Sequence, residues 1–224
     1  MRPMSSPSSP SRGRPARLDK DRTIRTALDL LNESGLDALT MRRVADAVGA
    51  QAGALYRYFA TKQDLLTAMA ERMVEGVEAA AGSVEDGGWS EGVTRLARAL
   101  RTALLAHRDG ARVFAGTHAT GPHTLGFADS LVGVLREAGF SDSEAARALY
   151  AVANFTVGHT LEEQAALRPE NEGSADAGDL HEAVVAGAYP HLAAALPVLT
   201  STDFTAHFEF GLRLLLDGLR AVRR

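Results

Sequence analysis

The stretch TMRRVADAVGAQAGALYRYFATK, residues 40–62, decides the fold of this chain. It predicts two short helices joined by a tight turn at Val48-Gly49-Ala50, since glycine readily adopts the left-handed conformation that ends a helix. Thr40 is a candidate N-cap of the first helix. Leu55 and Phe59, four residues apart, predict the buried side of the second helix. The pattern is typical of a helix-turn-helix, and an ordinary helical hairpin is the alternative.

The opposite side of the second predicted helix carries small and polar residues. A helix that enters the DNA major groove needs such a face, with phosphate-binding groups at its flanks. Lys62 begins the following helix, whose first amides also favour anions. The predicted DNA-binding residues are Arg42, Arg43, Gln51, Gly53, Ala54, Tyr56, Arg57, Tyr58 and Lys62.

Charge is divided unevenly along the 224 residues. Residues 1–62 hold eleven Lys and Arg against six Asp and Glu, whereas the remainder holds thirteen against twenty-two. A basic head on an acidic body indicates a polyanionic partner for the head, although a chance imbalance is the alternative. Residues 1–18 are rich in Ser, Pro and Arg, which predicts a disordered basic arm that contacts DNA or has no fixed role.

Helical spacing of apolar residues continues to the C-terminus, and no stretch alternates for long enough to predict a strand. We therefore predict an all-α fold, with an N-terminal three-helix helix-turn-helix domain at residues 19–64 and a C-terminal helical domain at 65–224. A long fourth helix is predicted to continue through Val77. The stripe on a later helix comprises Leu125, Ala128, Leu131, Val132 and Leu135.

Several functional classes lack support in the sequence. The absence of cysteine excludes disulfides and thiolate metal sites and is typical of the cytoplasm. The longest uncharged run, residues 183–202, contains Pro190 and Pro197 and so cannot be one membrane-spanning helix. No phosphate loop or nucleophile motif is present. We therefore expect a cytoplasmic, non-membrane protein without catalytic residues, metal or cofactor.

Residues 36–69, LDALTMRRVADAVGAQAGALYRYFATKQDLLTAM, resemble the N-terminal domain of the TetR family of repressors. The family pattern is a Thr-capped helix, a Val-Gly turn, Leu-Tyr, an aromatic residue and Lys-x-x-Leu-Leu, and every part is present here. The resemblance implies that Tyr56 and Lys62 contact phosphates. It also implies positions at or near the base edges for Arg42, Gln51, Ala54, Arg57 and Tyr58.

The C-terminal part resembles the tetracycline-repressor branch of the family at residues 104–117, 149–164 and 208–219. The resemblance implies a small-molecule site. Phe114 stands where that branch has its metal-binding histidine and lacks a lone-pair donor, so an effector other than magnesium–tetracycline is implied. The implied effector-binding residues are Leu96, Leu100, Phe114, Thr117, Asn154, Phe155, His159 and Glu162, although the apolar members among them could simply pack the core.

The resemblance also implies a homodimer. The apolar stripes at 149–161 and 204–219 could form a four-helix interface with a second chain, or bury within one chain. The expected function is a repressor that a small-molecule effector releases from double-stranded operator DNA. The alternatives are an activator or ligand-independent DNA-binding protein, and a ligand-sequestering protein whose head no longer binds DNA.

Overall fold

The computed structural model describes residues 19–82, 88–117, 119–167 and 177–223, and every regular element in these ranges is helical. This confirms the predicted all-α class. The predicted basic arm lies outside the described residues. The elements are α1 (Lys20–Ala38), α2 (Met41–Ala47), α3 (Ala52–Leu55), α4 (Lys62–Met73), a 3₁₀ helix (Val77–Ala81), α5 (Gly88–Leu105), α6 (Gly110–Ala115), α7 (Pro122–Glu137), α8 (Asp142–Ala166), α9 (Ala177–Ala186), α10 (Pro190–Leu199) and α11 (Phe204–Val222).

Helices α1 to α4 form the head around one apolar cluster. Each helix contributes one buried side, because the apolar residues recur at helical spacing. α1 bends at Gly35, whose φ of 76° interrupts the helical path. The fully buried side chains of this cluster include Leu31, Val44, Leu55 and Leu65.

The prediction of one long fourth helix is wrong, because α4 ends at Met73. Gly76 adopts a left-handed φ of 84°, and Val77 then begins the 3₁₀ helix. Val77 is nevertheless buried, so the apolar spacing continues across the break. Periodicity alone could not reveal a break that leaves the buried positions in place.

Helices α5, α7, α8 and α11 form the body around a second apolar cluster. Trp89 lies inside α5 and is buried. α8 and α11 approach closely at Gly211, where an added Cβ would lie 2.5 Å from the Phe155 ring. α6 lies between the two clusters, and its Phe114 packs against both.

Candidate DNA-binding and effector sites

The turn of the helix-turn-helix ends α2 with two overlapping hydrogen bonds. The amide of Gly49 donates to the Asp46 carbonyl at 3.1 Å, and the amide of Ala50 donates to the Ala45 carbonyl at 2.9 Å. Gly49 has a φ of 70°, which a residue without Cβ adopts at little cost. This Schellman pattern satisfies the last carbonyls of α2 and directs the chain into α3.

α3 is anchored by its apolar side and leaves the opposite side open. Leu55 and Phe59 are buried in the head cluster. Of the predicted DNA-contacting residues near α3, Gln51, Gly53, Tyr56, Arg57 and Tyr58 are exposed, and Ala54 is half-buried.

The open side of α3 also lacks steric obstruction. No atom lies within 4 Å of an ideal Cβ built on Gly53, and Tyr56 exposes 49% of its surface. The face predicted from sequence is therefore accessible to a macromolecular partner.

Lys62 lies at the start of α4 and is exposed. A capping box precedes it: the Asp64 amide donates to Thr61 Oγ1 at 3.0 Å, and the Thr61 amide donates to the Asp64 carboxylate at 2.9 Å. These two bonds fix the end of the helix that carries the lysine.

The two arginines of α2 have different surroundings. Arg42 projects from the surface with 89% of its side chain exposed, and its nearest carboxylate, on Asp46, is 4.0 Å away. Arg43 instead donates to Ser34 Oγ and to the Ala38 carbonyl, both at 2.9 Å. Arg43 therefore ties α2 to the end of α1, a contact that the sequence did not suggest.

Head and body are joined by a polar contact that sequence reasoning missed. Asp109 is buried in a left-handed conformation with φ 57°, and its carboxylate accepts a 2.8 Å hydrogen bond from the Leu36 amide. Arg112 donates two bonds to the Asp37 carboxylate, at 3.1 and 3.2 Å. Asp109 before α6 was the only indication of this contact in the sequence, because Asp tolerates the left-handed conformation better than most residues.

A second contact links α4 to α6. The Gln63 side chain donates a 2.8 Å hydrogen bond to the Gly116 carbonyl at the end of α6. Val113 of α6 is buried in the head cluster. Any displacement of α6 therefore alters a hydrogen bond to α4, the helix that begins at Lys62.

The predicted effector residues fall into different environments. Leu96 and Leu100 are fully buried in the body cluster, so within one chain they pack the core. Phe114 and Thr117 are half-buried at the end of α6, where the Thr117 hydroxyl donates to the Phe114 carbonyl at 2.9 Å. Of these four side chains, Phe114 packs against both the head and the body clusters, whereas Leu96 and Leu100 belong to the body cluster.

Phe155 and His159 of α8 are brought together against Phe208 of α11. The Phe155 and Phe208 rings stack with centroids 5.5 Å apart, and the His159 ring meets Phe208 edge-on at 5.4 Å. Such ring pairs add to the stability of a core beyond the area that they bury. This aromatic group is a packed unit in the single chain.

An ion pair lies beside that aromatic group. The Arg101 guanidinium donates two bonds to the Glu163 carboxylate, at 2.9 and 2.7 Å, and both side chains are largely buried. Burial lowers the pKa of His159 below its ordinary value of 6.5, against the opposing effect of the Glu163 carboxylate. His159 is therefore neutral at neutral pH.

The remaining two predicted effector residues, Asn154 and Glu162, are exposed on α8. Large apolar residues of α8 and α11 are exposed as well. Tyr150 of α8 exposes 69% of its area, and Phe210 and Leu214 of α11 expose 55% and 57%. Exposed apolar residues on two neighbouring helices are typical of a surface that a partner covers.

A shallow, open depression of about 540 Å³ lies along α7. None of the eight predicted effector residues lines it. Its lining comprises Leu125, Gly126, Ala128, Asp129 and Val132. The predicted stripe of α7 is thus divided: Leu131 and Leu135 are buried, whereas the other three residues face this opening.

In the described ranges no helix is both long and apolar enough to cross a membrane. Over the same residues, no group of three or more His, Asp or Glu side chains is arranged to hold a metal ion.

Comparison with known proteins covers nearly the whole chain. Residues 24–69 match the family "Bacterial regulatory proteins, tetR family", and residues 81–223 match "Tetracyclin repressor-like, C-terminal domain". The tetracycline repressor protein class A from transposon 1721 of Escherichia coli is 42% identical over 204 residues, which is 91% of each chain.

Solved structures give the same result. A possible TetR family transcriptional regulator from Streptomyces coelicolor A3(2) is 79% identical with a TM-score of 0.87, over 92% of this chain and all of that one. ActR of Streptomyces coelicolor in complex with actinorhodin is 31% identical with a TM-score of 0.79, over 93% of this chain and 99% of that one. The chain belongs to the TetR family of transcriptional regulators.

Proposed function

We propose that this regulator is a homodimeric repressor that binds operator DNA with two copies of α3 and leaves it when a small molecule binds the body. The exposed side of α3 is the observation that carries the proposal. Its apolar side is fixed by Leu55 and Phe59, so its polar side is presented at a defined angle. A short, rigidly held helix with an unobstructed polar face fits the major groove.

The roles on DNA follow from chemistry and exposure. Tyr56 and Lys62 flank α3 and contact phosphates, which sets the register on the duplex. Arg42 and Arg57 carry the exposed guanidinium groups that can recognise guanine by two hydrogen bonds. The position of Arg43 is held by Ser34 and Ala38, so it supports α2 as well as adding positive charge.

A dimer places two heads on one operator, about 34–36 Å apart. The exposed Tyr150 of α8 and the exposed Phe210 and Leu214 of α11 support pairing through a four-helix interface. A two-fold interface uses the same surface of both chains, so one apolar face suffices.

Effector binding would act on DNA through α6. Phe114 packs against both clusters, Asp109 and Arg112 hold α1, and Gln63 of α4 holds the end of α6. A ligand that prefers a shifted α6 changes the position of the heads. Release requires that the ligand favours the shifted state by several kcal/mol, roughly 5 for a nearly complete change.

Magnesium–tetracycline is not the effector in this proposal. Phe114 offers no lone pair to a metal ion. We therefore expect operator binding to be insensitive to tetracycline with Mg²⁺.

The test begins with selection of a binding sequence from a random DNA pool. Affinity for the selected DNA is then measured by fluorescence anisotropy at several salt concentrations for the wild type and a Tyr56→Ala, Lys62→Ala variant. Loss of a phosphate-binding lysine should weaken binding by at least tenfold and reduce the salt slope by about 1.

The matched control is Tyr189→Ala with Arg223→Ala. It removes one exposed tyrosine and one exposed cation from the body and should leave DNA affinity unchanged. Failure to select any DNA sequence, or equal loss in both double variants, would contradict the proposal and favour a ligand-sequestering protein.

The dimer is tested separately with Phe210→Asp, which places a charge in the proposed interface. Sedimentation should show a monomer, and affinity for a palindromic operator should fall. Thr102→Asp adds the same charge at an exposed position of α5 and should leave the dimer intact. A dimer that survives Phe210→Asp would rule out this interface.

A further inference from the structure

The first turn of α7 has no cap of its own. Its N-cap residue is Gly121, which has no side chain to accept a hydrogen bond. Pro122 follows at the first helical position and has no N–H, and the Leu125 amide donates to the Gly121 carbonyl at 3.0 Å. The amides of His123 and Thr124 remain, and such first-turn donors need an acceptor from outside the helix.

Glu71 of α4 supplies that acceptor. Its half-buried carboxylate accepts hydrogen bonds from the His123 and Thr124 amides, at 3.1 and 3.3 Å, and a third from the Thr124 hydroxyl. Hydrogen bonds to a charged group are stronger than those between neutral groups, and the positive end of the helix dipole also favours a carboxylate. The start of α7 is therefore capped by a side chain that lies 52 residues earlier in the sequence.

The close approach of this carboxylate depends on Gly121. A Cβ added to the glycine would overlap the carboxyl group of Glu71. Gly121 has φ −79° and ψ 173°, which is ordinary extended backbone that any residue adopts. The glycine is therefore not required by its backbone conformation, and its missing side chain provides room for the glutamate.

α4 is fastened at two points to the segment that joins α6 and α7. Gln63 in its first turn donates to the Gly116 carbonyl, and Glu71 holds the first turn of α7. Eight residues of helix separate the two contacts by about 12 Å. Two contacts this far apart constrain the direction of α4 relative to the body, which a single contact would not.

We propose that Glu71 is a positioning residue, which sets the angle of the head by fixing α4 to the start of α7. α4 begins at Lys62 and packs in the head cluster through Leu65 and Met69, so its direction determines where α3 is presented. Two heads fit one operator only at a defined spacing. That the angle governs operator binding rests on the proposed function, whereas the effect of Glu71 on the angle does not.

The angle is measured without DNA, as the distance between spin labels on the head and the body by double electron–electron resonance. The chain has no cysteine, so Ala47→Cys in α2 and Ser143→Cys in α8 create two defined labelling positions, both exposed. Labelled chains are refolded with a large excess of unlabelled chains. Only distances within one chain are then recorded, whether or not the chain dimerises.

Glu71→Gln keeps the size of the side chain but leaves one acceptor oxygen for three donors. It should therefore broaden the distribution of label distances. Glu75→Gln is the matched control, because it removes the same charge from an exposed ion pair with Arg72 on the same helix. It should leave the distribution as in the wild type. Circular dichroism confirms that each variant keeps the fold.

Gly121→Ala tests the same contact from α7. The new methyl group displaces the carboxylate while Glu71 itself is kept, so this variant should broaden the distribution as Glu71→Gln does. In the Glu71→Gln background it should add little, because the bonds to α7 are already lost. Additive effects of the two substitutions would show that they act at separate contacts.

On DNA, the measurement is discrimination between two spacings of the half-sites. The wild type should strongly prefer the selected palindrome over the same half-sites with an extra base pair between them. Glu71→Gln and Gly121→Ala should each reduce this preference about tenfold, because loosely held heads accept both spacings. A loss of stability alone would weaken binding to both DNAs equally.

An unchanged distance distribution in either Glu71→Gln or Gly121→Ala would overturn the proposal, and so would equal broadening in Glu75→Gln. Broader distributions with an unchanged spacing preference would also contradict it, because the contact would then not position α3. Broader distributions in a chain that binds no DNA would support the role of Glu71 and refute the proposed function alone.

Discussion

The head and the body are both built from amphipathic helices, yet they differ in where their candidate functional residues lie. In the head, Tyr56, Arg57 and Tyr58 are exposed beside a buried Leu55. In the body, Leu96 and Leu100 have no exposed surface. The predicted DNA-binding residues of the head are therefore separate from the residues that pack it, whereas two predicted effector residues of the body also pack its core.

The largest expected effect concerns α3. Leu55→Ala deletes a fully buried side chain and should lower the free energy of unfolding by about 3 kcal/mol. Tyr58→Ala, three residues later on the exposed side, should change it by less than about 0.5 kcal/mol while it weakens DNA binding. Urea unfolding and anisotropy measure the two quantities. Equal destabilisation by both variants would show that the two sides of α3 are not distinct.

The junction of the two regions should show the next largest effect. Asp109→Ala removes the buried acceptor of the Leu36 amide and a side chain that tolerates the left-handed backbone. We expect a loss of about 2 kcal/mol in unfolding free energy. Asp109→Asn keeps an oxygen acceptor and the backbone preference, so it should lose clearly less. An Asn variant as unstable as the Ala variant would mean that the charge, and not the hydrogen bond, stabilises the junction.

The same capping box occurs in both regions and gives a matched pair. Thr61 caps α4 in the head, and Ser141 caps α8 in the body, each with a carboxylate three residues later. Thr61→Ala and Ser141→Ala should each cost about 1 kcal/mol of stability. Only Thr61→Ala should also weaken DNA binding, because Lys62 follows it directly. An equal effect of both variants on DNA affinity would contradict the assignment of DNA binding to the head alone.

The smallest effect is a pH dependence in the body. Burial lowers the pKa of His159, so the folded chain binds fewer protons than the unfolded chain once the pH falls below the ordinary value of 6.5. This contribution to stability is present above that pH and is lost as the pH falls from there towards the lowered pKa of the folded state. His159→Gln should flatten the fall of the urea midpoint between about pH 7 and pH 5. An unchanged slope would assign the dependence to other groups, such as His107, whose pKa burial also lowers.

Much of the head could be predicted because its information is local. Thr40 as a cap, Gly49 as a turn residue, and Leu55 with Phe59 as a buried pair each depend on neighbours a few residues away. The break after Met73 was not predicted, because Val77 is buried in the observed 3₁₀ helix just as it would be in one continuous helix. Local patterns report which side is buried, and they do not report whether the helix is continuous.

The body was less predictable, because its candidate sites depend on contacts between distant segments. Periodicity on α7 could not separate Leu131, which packs in the core, from Leu125 and Val132, which line an open depression of the surface. Glu78 carried no special signal in sequence. It packs against Gly126 of α7, nearly fifty residues away along the chain.

The sequence by itself determined the all-α class, the helix-turn-helix and the outward residues of α3, because helix periodicity, capping and turn preferences act over short distances. Only the tertiary structure decided that Asp109 holds α1, that Arg43 supports α2, and that one side of α7 stays open. These features depend on which surfaces meet after folding, and residue spacing within one helix does not encode its distant neighbours.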